Sequence, residues 1–163
     1  MSKPDYPVTA ATRALKTKGV AFRPHLYEYK ERGGTSHSAS ALGVPEHAVI
    51  KTLVMETESR EPLIVLMHGD CEVSTKALAR FVGVKRISPC DPEVAQKHSG
   101  YLVGGTSPFG TRRPMPIYVE RSIFDLEEIY INGGKRGFLV SVNPSDLRVL
   151  APMVEVEVAT GAG

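Results

Sequence analysis

The sequence predicts an α+β fold: a single domain with a mixed, strongly curved β-sheet and short surrounding helices. Three observations support that class. The chain has 163 residues, the size of one domain with a proper core. Its apolar residues switch repeatedly between the alternation of a strand and the spacing of a helix. About seven strands and four or five short helices then follow in irregular order, not in the strict alternation of a doubly wound sheet.

Residues 1–8 read as a loose leader. Thr9 is placed to cap a helix through Lys18, with Ala10, Ala14 and Leu15 as its apolar face and Gly19 as its stop. Val20–Tyr29 reads as a strand, and Pro24 within it implies an edge position. After a turn at Glu31–Gly34, Ser36 or Ser38 caps a short helix that ends at Gly43. Val49–Thr57 and Pro62–Met67 are strands of one hairpin. The second is an unbroken apolar run, suited to burial on both faces. Ser74 opens a helix with Ala77, Leu78, Phe81 and Val82 at helical spacing, closed by Gly83.

Val84–Ile87 reads as a short strand. Asp91-Pro92 starts a helix, with Asp as N-cap and Pro at the first helical position, and Gly100 ends it. Pro116–Glu120, Glu128–Ile131 and Phe138–Val142 are strands, with a helical turn over Ile123–Glu128. Asn143-Pro144 opens a last helix to Leu150. Val154, Val156 and Val158 alternate as a final strand, and 159–163 reads as a mobile tail. The domain therefore spans 9–158.

Composition excludes several classes. The chain is 42% hydrophobic and 23% charged, ordinary for a globular protein. A net charge of +2 gives no broad footprint for duplex DNA, though it permits a local basic patch. No apolar run approaches the ~18 residues needed to cross a bilayer. The first residues lack the apolar core of a signal peptide, and Cys71 and Cys90 are too few for a disulfide framework. The expectation is a cytoplasmic protein with reduced thiols, no membrane partner and no DNA partner.

Two glycine clusters organise the chain. Ser99–Gly110 holds four glycines and Pro108, and Asn132–Gly137 holds three glycines with Lys135 and Arg136. Such runs mark backbone that turns sharply or approaches a ligand closely. Apolar residues precede both, Leu102-Val103 and Ile129–Ile131, so each cluster reads as the end of a buried strand. Two strands ending this way build a pocket floored by backbone N–H groups. Two tight turns are the simpler reading.

Familiar catalytic motifs are missing. No two of the five histidines have the helical spacing of a metal pair, and neither cysteine lies in C-x-x-C, so neither a metal nor a cofactor is expected. There is no nucleophile elbow and no phosphate loop of the Walker type. Cys71 has no evident base and reads as a small buried apolar residue. Ser107, before Pro108, is either a nucleophile or a turn residue. Lys51 lies inside an apolar strand, on the face of Leu53 and Met55, and points either to solvent or into a pocket. Lys135, Arg136, Arg112 and Arg113 form either an anion-binding rim or a solvated basic loop.

Five segments together resemble the YbaK family of aminoacyl-tRNA deacylases, related to the editing domain of bacterial prolyl-tRNA synthetase. They are F-x-x-H-x-Y-E at Phe22–Glu28, V-I-K-T-L-V at Val49–Val54, D-P-x-V-A-Q at Asp91–Gln96, S-G-Y-L-V-G-G-x-S-P-x-G at Ser99–Gly110 and I-Y-x-x-G-G-K-R-G at Ile129–Gly137. The likeness runs in order over 9–158. It implies a barrel-like mixed sheet and a free-standing enzyme that hydrolyses mischarged tRNA, typically Cys-tRNA(Pro), gripping its acceptor end and forming a transient complex with prolyl-tRNA synthetase.

The resemblance puts the family's essential lysine on Lys51, with Gly104 and Gly105 as oxyanion donors. Tyr27, Thr52, Ser107, Asn132, Gly133, Gly134, Lys135 and Arg136 become substrate-binding positions. The chain departs from the family pattern at Asn132, where the best-known members have serine, and in the shorter segment Gly33–Ser38, which lacks a pocket phenylalanine. Both bear on which amino acid is removed. In the family, the cysteine thiol is thought to attack its own ester, which needs no enzyme nucleophile. Alternatives are removal of alanine or another small residue by an activated water, a non-catalytic tRNA- or nucleotide-binding regulator, and a phosphate-binding protein.

Overall fold

The computed structural model describes residues 5–161. Its main sheet runs in the order β1 (Arg23–Leu26), β8 (Phe138–Val142), β7 (Ile129–Lys135), β2 (Val49–Thr57), β3 (Pro62–His68), β6 (Ile117–Glu120), β9 (Val154–Val156), with β5 (Ile87–Pro89) added beside β2. β2 pairs β7 in parallel, as do β3 with β6 and β6 with β9, while the other pairs are antiparallel. The sheet is therefore mixed. Its path ends on β1 and β9, so it stays open. Pro24 sits on the end strand β1, where its missing N–H costs no ladder bond.

Strand β3 is buried on both faces because a different apolar cluster covers each. Ile64 and Leu66 join the larger cluster with Leu15, Ile131 and Phe138, whereas Leu63, Val65 and Met67 join Leu78 of helix α3 (Thr75–Val82). Helix α1 (Ala10–Thr17) is capped by Thr9, whose Oγ1 accepts the Thr12 N–H at 3.0 Å. It buries Ala11 and Leu15 fully, and Leu15 alone contributes about 2 kcal/mol. Helix α2 (Gly34–Leu42) lies over Val49 and Leu139, forming a third, smaller cluster with Ala39. Ser74 caps α3, and Gly83 and Gly100 close α3 and α4 (Pro92–Ser99) in the left-handed conformation.

Several expectations need correction. The first strand covers only Arg23–Leu26 of Val20–Tyr29. Ser36 and Ser38 lie inside α2, whose N-cap is Gly33. Asp91 precedes α4 without a side-chain capping bond. The strand expected at Val84–Ile87 begins only at Ile87, since its partner is the far end of β2. The last helix is split into a 3₁₀ turn over Pro144–Asp146 and α5 (Leu147–Leu150). Of the leader, residues 1–4 lie outside the described part, but Tyr6 packs on Phe22 and Phe138. Of the tail, 162–163 lie outside it, while Ala159–Thr160 forms β10, paired with β4 (Glu72–Val73).

Candidate active site where two glycine loops meet

The site begins at a lapse in the sheet. On one edge, β2 pairs β7 at Val49 and Ile50, then β5 from Met55 onward, so no strand covers Lys51–Val54 there. The Val54 carbonyl accepts the Cys90 N–H at 3.1 Å across that edge. Backbone groups alternate along a strand, so the N–H and C=O of Thr52 point into the same opening. The Thr52 hydroxyl faces away from Lys51. Side-chain alternation puts it with Ile50 and Val54 on the large-cluster face, and its Oγ1 is buried with no hydrogen-bond partner among the described residues.

Lys51 lies on the opposite face, between the Val49 cluster under α2 and the Leu53–Met55 cluster under α3. Its side chain keeps 20% exposure, and Nζ lies 3.6 Å from Glu72 Oε1, a carboxylate that is itself exposed. Lys51 is therefore partly covered, with its ammonium beside a surface carboxylate. Tyr27 is half-buried against the same α2 cluster, and burial pushes its phenol pKa up. His37 of α2 stands 5.9 Å from Tyr27, so the segment without a phenylalanine still offers an aromatic ring there.

The two glycine clusters do meet, though not as two strand ends. Leu102 and Val103 are exposed, in a loop that follows α4 and leaves no strand. The Leu102 carbonyl accepts the Gly105 N–H at 2.8 Å, and Gly104 has φ +92°, which makes 102–105 a type II turn. The second cluster is the bulged end of β7, with a register shift between Asn132 and Lys135. Asn132 joins them: Nδ2 donates to the Gly104 carbonyl at 3.0 Å, while Oδ1 accepts the N–H groups of Gly134 at 2.7 Å and Lys135 at 3.1 Å. One residue past the last β2–β7 pair, Lys51 and Asn132 face the same side, which links the lysine to the turn.

This arrangement revises the roles of the glycines. Gly105 is buried and its N–H is used within the turn, so it is not a free oxyanion donor. A Cβ there would stand 2.8 Å from the Arg136 nitrogen, so Gly105 permits the close approach of the loops. Gly104 is exposed, and its N–H has no acceptor among the described residues. The N–H groups of Gly134 and Lys135 are occupied by Asn132, so neither is a free donor to the pocket. Gly133 is buried against the Phe138 ring, and its carbonyl accepts from Thr9 Oγ1. Ser107 is fully buried, and its Oγ accepts the Phe109 N–H at 3.2 Å, so it shapes the turn.

Arg136 and Lys135 are exposed beside the turn. Arg136 Nε donates to the Val103 carbonyl at 2.8 Å, and its guanidinium stands 5.1 Å above the Tyr29 ring. Arg113 instead bonds back to α4, its guanidinium donating to His98 Nδ1 at 2.9 Å, and Arg112 also returns its N–H to α4. Tyr29 is a site residue that the sequence reading missed; its hydroxyl lies where a Gly104 Cβ would fall, at 2.7 Å. Its two-residue spacing from Tyr27 was the available signal.

Near Lys51, Asp70 binds His47 Nδ1 at 2.8 Å and accepts from Cys71 Sγ at 3.5 Å. These three donor atoms lie within 4.8 Å of one another. Burial and the Asp70 charge push the Cys71 thiol up to about 11, so it is a poor nucleophile near neutral pH.

Residues 32–150 match the aminoacyl-tRNA editing domain family. The chain belongs to this family. Over 153 residues, the editing domain is 26% identical to EbsC of Enterococcus faecalis, a protein named as a candidate Cys-tRNA(Pro)/Cys-tRNA(Cys) deacylase, and 93% of each chain is covered. It is 30% identical over 108 residues to the proline–tRNA ligase of Streptococcus equi subsp. equi, covering 66% of this chain but 17% of that enzyme. A solved structure described as a candidate trans-editing enzyme for prolyl-tRNA synthetase superposes with a TM-score of 0.83 at 22% identity, covering 96% of the editing domain chain and all of the other. Among the described residues no helix is long and apolar enough to cross a membrane.

Proposed function

We propose that this editing domain acts in trans as a deacylase of mischarged tRNA, with Cys-tRNA(Pro) as its substrate. The observation that carries the reading is the Gly104 turn. The Gly104 N–H has no acceptor among the described residues, and Asn132 holds the Gly104 carbonyl, beside the face that presents Lys51. That is the geometry for stabilising negative charge on an ester oxygen. The likeness to EbsC over 93% of both chains supports a free-standing role.

The substrate thiol attacks its own carbonyl carbon. An S–C bond forms, the ester C–O bond breaks, and the thiol proton goes to the departing ribose oxygen; water then opens the thiolactone. The Gly104 N–H receives the developing oxyanion, and the Lys51 ammonium holds the ester or the terminal phosphate. Intramolecular attack supplies much of the rate, with effective molarities of ~10⁵ M or more. The high pKa of Cys71 agrees with a scheme that needs no enzyme thiolate. The Thr52 backbone in the sheet opening is placed to hold the aminoacyl group.

Single-stranded contacts at the acceptor end suit this site, and the transient synthetase partner would deliver the tRNA. The activity belongs in the cytoplasm, with its substrate. Deacylation of tRNA(Pro) charged with cysteine, alanine or proline tests the reading, using wild type and Lys51→Ala. Loss of the cysteinyl ester alone, dependent on Lys51 and yielding thiolactone, is expected. Loss of the alanyl ester instead would assign a water mechanism, and no loss from any of the three would leave a binding role.

A further inference from the structure

The tip of the first glycine loop carries an unassigned feature. Leu102 and Val103 are adjacent, apolar and exposed at 51% and 45%. The backbone beneath them is fully engaged. The Leu102 carbonyl accepts from the Gly105 N–H at 2.8 Å and from Thr106 Oγ1 at 3.4 Å, the Val103 carbonyl from Arg136 Nε at 2.8 Å, and the Gly104 carbonyl from Asn132 Nδ2 at 3.0 Å. Three successive carbonyls are tied down, so the turn offers solvent two apolar side chains and the Gly104 N–H. Neither side chain belongs to a core cluster.

The surroundings indicate what covers this step. Arg136 is fastened to the Val103 carbonyl and lies over Tyr29, whose hydroxyl abuts Gly104. An apolar step, a cation and an aromatic ring therefore adjoin the oxyanion donor. That combination matches a nucleotide: a flat base on the apolar surface and a phosphate near the guanidinium. The ester cleaved in the proposed reaction sits on the ribose of the terminal nucleotide, so the base of that nucleotide must lie close to Gly104. The step begins one residue away from Gly104 in the chain.

We infer that Leu102 and Val103 are the seat of the 3′-terminal nucleobase of the acylated tRNA, with Arg136 facing its phosphate. The inference rests on the deacylase reading. The seat positions the ester against the Gly104 N–H, and because the turn is already rigid, little ordering accompanies binding.

The test uses two cysteinyl-tRNA(Pro) substrates made by ligating acylated dinucleotides, one ending in adenosine and the other in an abasic nucleotide. Wild type should cleave the adenosine-ended substrate with a kcat/KM at least about fivefold higher, the lower range for stacking of one base. In Leu102→Ser/Val103→Ser that ratio should fall toward one, chiefly through KM. In Leu102→Met/Val103→Ile, which keeps the apolar surface, it should persist. Thermal unfolding of both variants checks that the fold is retained. Equal cleavage of the two substrates by wild type would overturn the seat while leaving the deacylase reading intact, as would a full preference retained in the serine variant. Cleavage of neither substrate would overturn the deacylase reading itself, and the seat with it.

Discussion

Asn132 holds Gly104 by a 3.0 Å bond from Nδ2 to the Gly104 carbonyl, across 28 residues of sequence, while its Oδ1 accepts two N–H groups of its own loop. The side chain is thereby spent on structure, and its role is to position the turn. Asn132→Ala leaves three backbone groups without these partners. It should destabilise the domain by about 1–3 kcal/mol in urea unfolding. Deacylation should fall by roughly tenfold or more, as expected for a displaced catalytic group. An unchanged urea midpoint would show that the clasp carries nothing.

Lys51 is expected to separate activity from stability. Its one ion pair among the described residues is to Glu72, a carboxylate 80% exposed, and exposed pairs contribute about 0–1 kcal/mol. Lys51→Met should abolish deacylation of Cys-tRNA(Pro) and leave the unfolding midpoint nearly unchanged. Substantial residual activity would remove Lys51 from the mechanism.

The paired glycines should fail in different ways. A Cβ at Gly105 meets backbone of the facing loop at 2.8 Å, so Gly105→Ala should cost about 1–3 kcal/mol of stability by forcing the loops apart. Gly104, at φ +92° and with an added Cβ only 2.7 Å from Tyr29 Oη, should lose activity on mutation to alanine. Tyr29→Phe in that background should not restore it, because the positive φ remains unfavourable to alanine. Urea curves and deacylation rates on the two single variants and the double variant check the distinction.

Cys71→Ala should retain most of the activity. The thiol is held up to about 11 by burial and by Asp70, so it carries almost no thiolate near neutral pH. The expected loss is in stability, about 1–2 kcal/mol from the small cavity. A folded but inactive Cys71→Ala would contradict the substrate-thiol mechanism.

Stability should fall as pH drops below the ordinary histidine value of 6.5. Burial is the largest cause holding His25, His68 and His98 below that value in the folded state. Above 6.5 both states keep these rings neutral. Below it the unfolded chain binds protons first, so unfolding becomes more favourable until the folded rings also titrate. Urea midpoints at pH about 7.5 and 5.5 measure the effect. His68→Gln, which removes a ring bonded to His47 O and Ser122 Oγ, should flatten the slope.

Much of the framework was legible because it depends on local periodicity. The alternation in Val49–Thr57 gave the strand and placed Lys51 with Leu53 and Met55, as observed. The apolar run at Pro62–Met67 gave a strand buried on both faces. The reading of Leu102-Val103 as a strand leading into glycine was wrong, since two apolar residues carry no period and the turn exposes both. Thr52 and Ser107 were assigned by position in a motif; Ser107 is fully buried in the turn, and the Thr52 hydroxyl is buried with no hydrogen-bond partner among the described residues.

The sequence by itself determined the β2–β3 hairpin, the edge position of Pro24, the face of Lys51 and the two glycine segments, because each follows from neighbours a few residues away. The tertiary structure decided that Gly105 spends its N–H within the turn, that Asn132 is a clasp, that Tyr29 abuts Gly104 and that Leu102 and Val103 meet solvent. Those facts depend on the 99–110 loop touching the end of β7. No local propensity or period in the chain encodes such a long-range contact; only the packing of the folded sheet brings the two loops together.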